Sequence, residues 1–351
     1  MELLRLVLMF FIVMHHCLIK CGVMNAGFDN GENLDLLAAF LDPFFFVGVN
    51  CFVLISGYFG IEFKFKGLYK LFVQCAFYAL LFYLLHLLLN DAKIGKSILD
   101  NSLFVFSTPP GWWFVSVYVY LYLLSPVLNK AIDNLSQSQF KLVLLILTIL
   151  NVYFGFVRQT PFNLDGYSIA NFIYLYFIGR YLNLYYVGKK NPIRHFIGYL
   201  ICASVLGAMA LFKNMVLQHE AVLLNVHVYN NPLLILAAVF LLLTFASIDF
   251  SYSKTINWLS FSAFSIYLIT ENAYVARWYY PYIGNSINGL SPLWSWLCLV
   301  AFAIVTMVCC ILIDKVRLLI TIPMDRLSRR IIERLDHRYM NMWGCKNDSA
   351  K

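Results

Sequence analysis

The chain has 351 residues, of which 61% are hydrophobic, 17% aromatic and 13% charged, and its mean hydropathy is +0.73. Soluble domains carry about 45–50% apolar and about 25% charged residues, so this composition excludes a soluble enzyme, a disordered chain and a disulfide-stapled secreted module. The formal net charge of +8 is concentrated at the ends of apolar segments, so the expected partners include membrane lipids and no nucleic acid.

Apolar segments long enough to cross a membrane follow one another along the chain. A spanning helix needs about 20 mostly apolar residues. By this criterion the sequence predicts about ten spans, at residues 5–24, 41–60, 68–90, 112–129, 140–158, 168–187, 194–213, 231–249, 257–279 and 293–314. The predicted fold class is therefore an all-α, polytopic membrane helix bundle. The scattered cysteines lack the spacings of a zinc site or a disulfide framework, so no metal is expected.

The positions of lysine and arginine predict the orientation of these spans. If the N-terminus is cytoplasmic, 20 of the 26 Lys and Arg residues fall on the cytoplasmic side, as the positive-inside rule requires. We therefore expect both termini in the cytoplasm, a transmembrane domain over residues 1–320 and a basic tail over residues 321–351. The tail is partly amphipathic, so it either lies on the anionic leaflet or is a solvated segment that only fixes the topology.

The first predicted helix carries two ionisable side chains on one stripe. Arg5 and His16 are eleven residues apart, which places them about 20° apart around a helix and about 16 Å apart along it, whereas His15 points away. Histidine suits proton transfer near neutral pH, so His16 is a candidate catalytic residue. The alternative is a hydrogen-bonded strut between helices, with Arg5 as a topology anchor. No small-x-small cleavage pattern follows, so we expect this helix to be retained and not removed as a signal peptide.

Two later segments each allow a structural and a functional interpretation. Residues 48–58 contain glycine and serine, which permit close helix packing, and Lys64 and Lys66 follow. These lysines either hold a phosphate-bearing donor or merely satisfy the positive-inside rule. The fourth span opens with aromatic residues that include Trp113. Such rings mark the membrane interface, and they also stack against sugar faces.

Glu271 in the ninth span is an ionisable residue at membrane depth. Such a residue is costly in lipid, so Glu271 must find a partner on another helix or line a wet cavity. It is six residues from Arg277, on a different helix face, so the two do not form a simple pair.

The remaining histidines are interpreted as ordinary. His86 and Asp91 match a spacing used by glycerophosphate acyltransferases, but they fall at the predicted exoplasmic end, away from a cytoplasmic acyl donor, and we discount them. Loops and span ends hold four others, which are interpreted as surface or capping residues: His195, His219, His227 and His337.

Taken together, five segments resemble the acyltransferase-3 family of integral membrane acyltransferases, in its branch that modifies bacterial surface polysaccharides. In chain order these are Arg5 with His16, the run from Phe52 to Tyr58, Trp113-Phe114 with Pro126, Phe177 to Arg180, and Ser265 to Ile269. The resemblance covers residues 1–320.

The chain departs from the family pattern in two places. Thr270 stands where the family often has histidine, although Glu271 and Asn272 follow directly and could replace it. Lys64-Phe65-Lys66 stands where the family has Arg-x-Arg, and lysine keeps the charge but loses the bidentate fork for phosphate.

The resemblance implies a membrane enzyme of the bacterial inner membrane. It would move an acetyl or similar acyl group from cytoplasmic acyl-CoA to a hydroxyl of a surface polysaccharide or its lipid-linked precursor. Acetyl-CoA is then a donor substrate, and no cofactor is permanently bound. The implied catalytic residues are His16, as general base or transient acyl carrier, Arg5 and Glu271. The implied donor-binding residues are Lys64, Lys66 and Arg5, and the implied acceptor-binding residues are Tyr58, Trp113 and Asn272.

A secondary transporter or flippase for a lipid-linked sugar is the alternative function. Transporters commonly carry inverted repeats, and the sequence shows no internal repeat, which disfavours this alternative. A non-enzymatic scaffold is disfavoured because intramembrane Arg, His and Glu would be costly for structure alone.

Overall fold

The computed structural model describes residues 1–24, 33–90, 112–186, 191–213 and 225–343. These residues are almost entirely helical and include no strand. Seven of their helical segments are long and apolar enough to cross a membrane, with Leu36–Phe59 and Gln137–Val157 each counted as one, and a shorter apolar helix covers Pro232–Ala246. The predicted all-α, polytopic membrane bundle is confirmed. Asp91 and His219 of the sequence analysis lie outside the described residues.

The described helices are, in chain order, α1 (Glu2–Lys20), α2 (Asn33–Phe46), α3 (Gly48–Phe59), α4 (Phe65–Asn90), α5 (Trp113–Asp133), α6 (Gln137–Thr148), α7 (Ile169–Tyr185), α8 (Pro192–Phe212), α9 (Pro232–Ala246), α10 (Lys254–Ser260), α11 (Ala263–Thr270), α12 (Ala273–Ile287) and α13 (Pro292–Trp343). A π-helical segment, Ile149–Val157, prolongs α6, and a 3₁₀ segment covers Pro161–Gly166.

Two predicted spans are interrupted. The span over 41–60 is divided between α2 and α3, which meet at Val47. The prediction of one helix over 257–279 is wrong, because α10, α11 and the first part of α12 share that range. The second break has a local cause: the Asn272 side chain accepts a hydrogen bond from the backbone N–H of Tyr274 at 3.0 Å. An asparagine at this N-cap position starts a new helix.

Helices α3 and α7 approach each other closely through glycines on both sides. A Cβ on Gly57 would overlap the backbone of Tyr176, and a Cβ on Gly179 would overlap the backbone of Leu54 and Tyr58. Since only glycine fits at such a contact, the structure confirms the packing interpretation of the Ser-Gly-Tyr segment.

Helix α1 is central to the bundle, packing against α2, α3, α10, α11, α12 and α13. Its residues Leu4, Leu8, Val13 and Leu18 are fully buried. Because α1 is enclosed on several sides, a polar stripe on this helix can face only a neighbouring helix or an internal cavity.

Helix α13 is much longer than a membrane span. Its 52 residues rise about 78 Å, against about 30 Å for a hydrocarbon core. The C-terminal part of α13 lies against the start of α4. There the side chain of Asp336 accepts a hydrogen bond from the backbone N–H of Phe65 at 2.5 Å. The Tyr339 ring packs on Phe63, with ring centroids 4.8 Å apart. The predicted boundary at residue 320 therefore falls within one continuous helix.

Candidate active site

One face of α1 lines an internal cavity of about 270 Å³. Arg5, Met9, Ile12 and His16 all face it, and their spacing of four, three and four residues is that of a single helical stripe. Arg5 and His16 thus lie on the same cavity, as the eleven-residue spacing predicts.

The other walls are mostly apolar and aromatic. Helices α3, α4, α5 and α11 contribute to them, together with Ser260 at the end of α10 and Tyr229 before α9. Two hydroxyl groups on these walls, Ser56 Oγ and Tyr118 Oη, lie 3.3 Å apart. An apolar cavity with a few converging polar groups is the usual form of a small-molecule site.

Behind His16 is a carboxylate that belongs to the break between α11 and α12. Nδ1 of His16 lies 3.1 Å from Oε1 of Glu271, at an angle that does not form a hydrogen bond, so the two groups interact through charge. Lys20 pairs with the other carboxylate oxygen at 2.5 Å, and the Tyr280 hydroxyl donates to Oε1 at 2.6 Å. Glu271 therefore finds its partners on α1 and α12, and Arg277 is not needed as a partner.

This arrangement has a direct chemical consequence. A carboxylate beside Nδ1 favours a proton on that nitrogen, which leaves the lone pair of Nε2 available. A histidine with a carboxylate beside one ring nitrogen can take a proton from a hydroxyl group at the other. The cavity, the imidazole and the carboxylate together are suited to general base catalysis.

Arg5 lies at the opposite end of this stripe from His16. Both of its hydrogen bonds to Glu2, at 2.8 and 3.0 Å, come from Nη1. The Ser260 hydroxyl donates to Glu2 at 2.7 Å and fixes this carboxylate. Guanidinium carries five N–H donors, so Arg5 can bind an anion in the cavity while it keeps its pair with Glu2.

The structure places some of the other predicted site residues at the cavity and the rest away from it. Trp113 lines the cavity, whereas Tyr58 and Asn272 are not among its lining residues. Asn272 is fully buried and caps α12. Lys64 pairs with Glu62 at 2.9 Å on the surface, and Lys66 lines a second cavity at the start of α4.

Thr270, at the position where histidine was expected, takes no part in the cluster around His16. Its hydroxyl donates to the carbonyl oxygen of Ile266 at 2.9 Å and is buried. The residue that follows, Glu271, makes the contact to His16 instead.

The sequence analysis missed a second buried ionisable cluster next to the first. Asp42 of α2 is fully buried between two imidazoles, with His15 Nδ1 at 2.7 Å and His227 Nε2 at 2.9 Å. The interpretation of His227 as an ordinary surface residue is therefore wrong. A signal was available, because Asp42 interrupts an apolar run at membrane depth, where an acidic residue requires a partner.

An aromatic wall, formed by Trp113, Tyr167 and Tyr229, was only partly anticipated. The ring centroids of Trp113 lie 4.5 Å from those of Tyr167 and 5.2 Å from those of Tyr229, and the two tyrosines are 4.9 Å apart. Burial raises the pKa of Tyr229 well above its ordinary value, so its hydroxyl remains neutral. Trp113 and Tyr229 face the cavity, and Tyr167 is 46% exposed.

Comparison with known proteins identifies one similarity. The family model described as "Acyltransferase domain", of the acyltransferase-3 family, matches residues 1–315. No curated protein and no solved structure matches the chain. The matched range contains every residue that lines the cavity around Arg5 and His16, as well as Glu271.

Proposed function

We propose that this chain, which belongs to the acyltransferase-3 family, transfers an acetyl or similar acyl group from cytoplasmic acyl-CoA to a sugar hydroxyl. The acceptor in this proposal is a cell-surface polysaccharide or its lipid-linked precursor, and the membrane is the bacterial inner membrane. The chain is a multi-pass membrane acyltransferase by its family and its apolar helices. The donor and the acceptor in this proposal are those that the family resemblance implies, and the cavity, its histidine and its aromatic wall suit both.

The observation that carries the proposal is the shared cavity of Arg5 and His16, with Glu271 behind the imidazole. An O-acyl transfer needs a base, because a hydroxyl group is a poor nucleophile until its proton is removed. It also needs the thioester and the hydroxyl in one enclosed space at near-attack distance. The cavity supplies the enclosure, and His16 supplies the base.

Nε2 of His16 takes the proton of the acceptor hydroxyl while the oxygen attacks the thioester carbonyl carbon. The new C–O bond forms, the C–S bond breaks, and the thiolate of coenzyme A leaves and takes the proton from His16. Glu271 stabilises the imidazolium in between, since it lies 3.1 Å from the other ring nitrogen. His16 as a transient acyl carrier is a variant of the same scheme.

The aromatic wall supports a sugar as acceptor. Trp113 and Tyr229 offer ring faces to the cavity, and Tyr167 continues the wall toward the exposed surface. Aromatic rings combine a large apolar face with, in tyrosine, a polar group for hydroxyls. In this proposal Trp113 contacts the acceptor, while Asn272 acts indirectly by starting α12 next to Glu271 and Tyr58 stays outside the cavity.

A transfer assay tests this proposal. It combines purified full-length protein with radiolabelled acetyl-CoA and with surface polysaccharide from the same organism. Transfer of label to glycan that depends on both protein and acceptor is the expected result. His16→Ala should abolish it, whereas His337→Ala, which changes an exposed histidine that shares a hydrogen bond with its helix neighbour Asn341, should not. Uptake of a lipid-linked sugar into vesicles without acylation, or full transfer by His16→Ala, would contradict the proposal.

A further inference from the structure

A second cavity, of about 370 Å³, lies between the start of α4 and the C-terminal part of α13. From α4 it is lined by Lys66, Tyr69 and Lys70. From α13 it is lined by residues between Ile322 and Glu333, including Arg326 and Arg329. Most of these side chains carry charge, in contrast to the apolar cavity around His16.

Positive charge predominates in this second cavity. Four of its lining side chains are basic (Lys66, Lys70, Arg326 and Arg329), and two are acidic (Asp325 and Glu333). Arg329 uses Nε to bind Glu333 at 2.7 Å, so its two terminal amino groups remain for a ligand. Guanidinium groups match the geometry of phosphate oxygens, and lysines add point charge.

The end of α13 is fixed in place, so the cavity has two firm walls. Asp336 binds the backbone N–H of Phe65, and Tyr339 packs on both Phe63 and Phe65. Farther along, the buried Asp314 of α13 accepts hydrogen bonds from two residues of α4, Tyr78 at 2.9 Å and Gln74 at 3.3 Å. These contacts hold α13 along α4 on both sides of the cavity.

The two cavities share α4 as a wall. Leu71 lines the cavity of Arg5 and His16, and its neighbour Lys70 lines the basic cavity. A donor with its phosphate-rich head between α4 and α13 would therefore have to run along α4 to bring its thin arm to His16.

We propose that this basic cavity holds the phosphate-bearing nucleotide end of the acyl-CoA donor, with Arg326 and Arg329 as the principal phosphate ligands. The inference rests on the proposed function, because it assumes that donor. Arg326 and Arg329 lie beyond the residues 1–315 that match the family model. They supply the guanidinium forks that Lys64-Phe65-Lys66 lacks, and Lys64 itself is paired with Glu62 and outside the cavity.

Isothermal titration calorimetry of coenzyme A with full-length protein in phosphatidylcholine nanodiscs tests this phosphate site. Arg326→Ala/Arg329→Ala should weaken coenzyme A binding about tenfold or more, as expected for lost charge-assisted hydrogen bonds. Binding of pantetheine, which lacks the phosphates, should not change. Arg330→Ala/Arg334→Ala is the matched control, since it removes the same charge from the same helix at exposed positions outside the cavity, and it should bind like the wild type.

Lys70→Ala provides a second variant from the opposite wall, for the case in which the double variant does not fold. It should weaken coenzyme A binding in the same direction, again with pantetheine unaffected. Equal weakening by the control pair would overturn the site, because it would indicate a general charge effect.

The outcomes separate this inference from the proposed function. A wild-type protein that neither binds coenzyme A nor consumes acetyl-CoA contradicts the donor and this inference together. A wild-type protein that uses acetyl-CoA, with unchanged coenzyme A affinity in both cavity variants, overturns the cavity alone. If those variants instead lose only enrichment of phosphatidylglycerol in mixed nanodiscs, the phosphate belongs to a lipid headgroup, and the nucleotide site is refuted.

Discussion

His16 and Glu271, which are far apart in the sequence, lie side by side in the bundle, with 3.1 Å between Nδ1 and Oε1. The contact exists because the helix that begins the chain packs against α11 and α12. Glu271 occupies the non-helical link between those two helices, where its side chain is aimed at α1. The pair is thus fixed by helix packing and not by local sequence.

Glu271→Gln should lower kcat by roughly a hundredfold, at the low end of what general base catalysis contributes. The amide keeps the size of the side chain but no longer stabilises an imidazolium at His16. The KM for acetyl-CoA should change little, because the donor is held elsewhere. Steady-state kinetics with labelled acetyl-CoA measure both values. Glu62→Gln, at a surface ion pair with Lys64, is the control, and equal loss in both variants would contradict the assignment.

Trp113→Ala should raise the KM for the glycan acceptor about tenfold while the KM for acetyl-CoA stays constant, because one stacking face is lost. Trp113→Phe should restore most of the affinity. Trp278→Ala serves as the control, since Trp278 is 62% exposed and is not among the cavity-lining residues. A rise in the donor KM alone would place Trp113 on the donor side of the cavity.

Asp42→Ala should destabilise the protein by about 3 kcal/mol, because it leaves the buried imidazole of His15 and the partly buried imidazole of His227 without their carboxylate. His227→Ala should cost less, since the side chain of His227 is 34% exposed and water can replace part of its contact. Thermal unfolding of the detergent-purified variants gives the order of stability. The reverse order would mean that the cluster depends on His227 more than on the carboxylate.

Gly57→Ala and Gly179→Ala should each destabilise the bundle by about 1–3 kcal/mol, the cost of forcing a methyl group into a packed interface. At both positions the new Cβ meets backbone atoms of the neighbouring helix, which cannot rotate away. Gly198→Ala is the matched control, because the atoms nearest to its Cβ belong to the side chain of Phe240 and not to a backbone. The melting temperatures of the purified variants measure these losses of stability. A loss in Gly198→Ala equal to that in Gly57→Ala would contradict the expected difference between backbone and side-chain contacts.

Helical periodicity correctly predicted the features that are determined within a single helix. The all-α membrane bundle and the shared stripe of Arg5 and His16 belong to this group, since a fixed rise and rotation per residue determine both. The partner of Glu271 could not be predicted, because it depends on how distant helices pack. The break before Asn272 was missed for a different reason: hydropathy favoured a continuous apolar span, whereas the Asn272 side chain caps a new helix.

Asp42 shows a limit of motif-based reasoning. It lies in an apolar run that contains no expected motif, so it drew no attention, yet the structure places it between His15 and His227. The rule that intramembrane acids need partners would have identified Asp42 itself. It would not have identified the two histidines, which come from different parts of the chain.

The adjacent imidazoles of α1 point to different acids: His15 binds Asp42, and His16 lies against Glu271. Adding or removing one residue between Arg5 and His15 would rotate the remainder of the helix by about 100° and shift it by about 1.5 Å. His15 and His16 would then no longer face their present acids with Arg5 still on the cavity. The length of this segment is therefore constrained more strictly than the identity of the apolar residues within it.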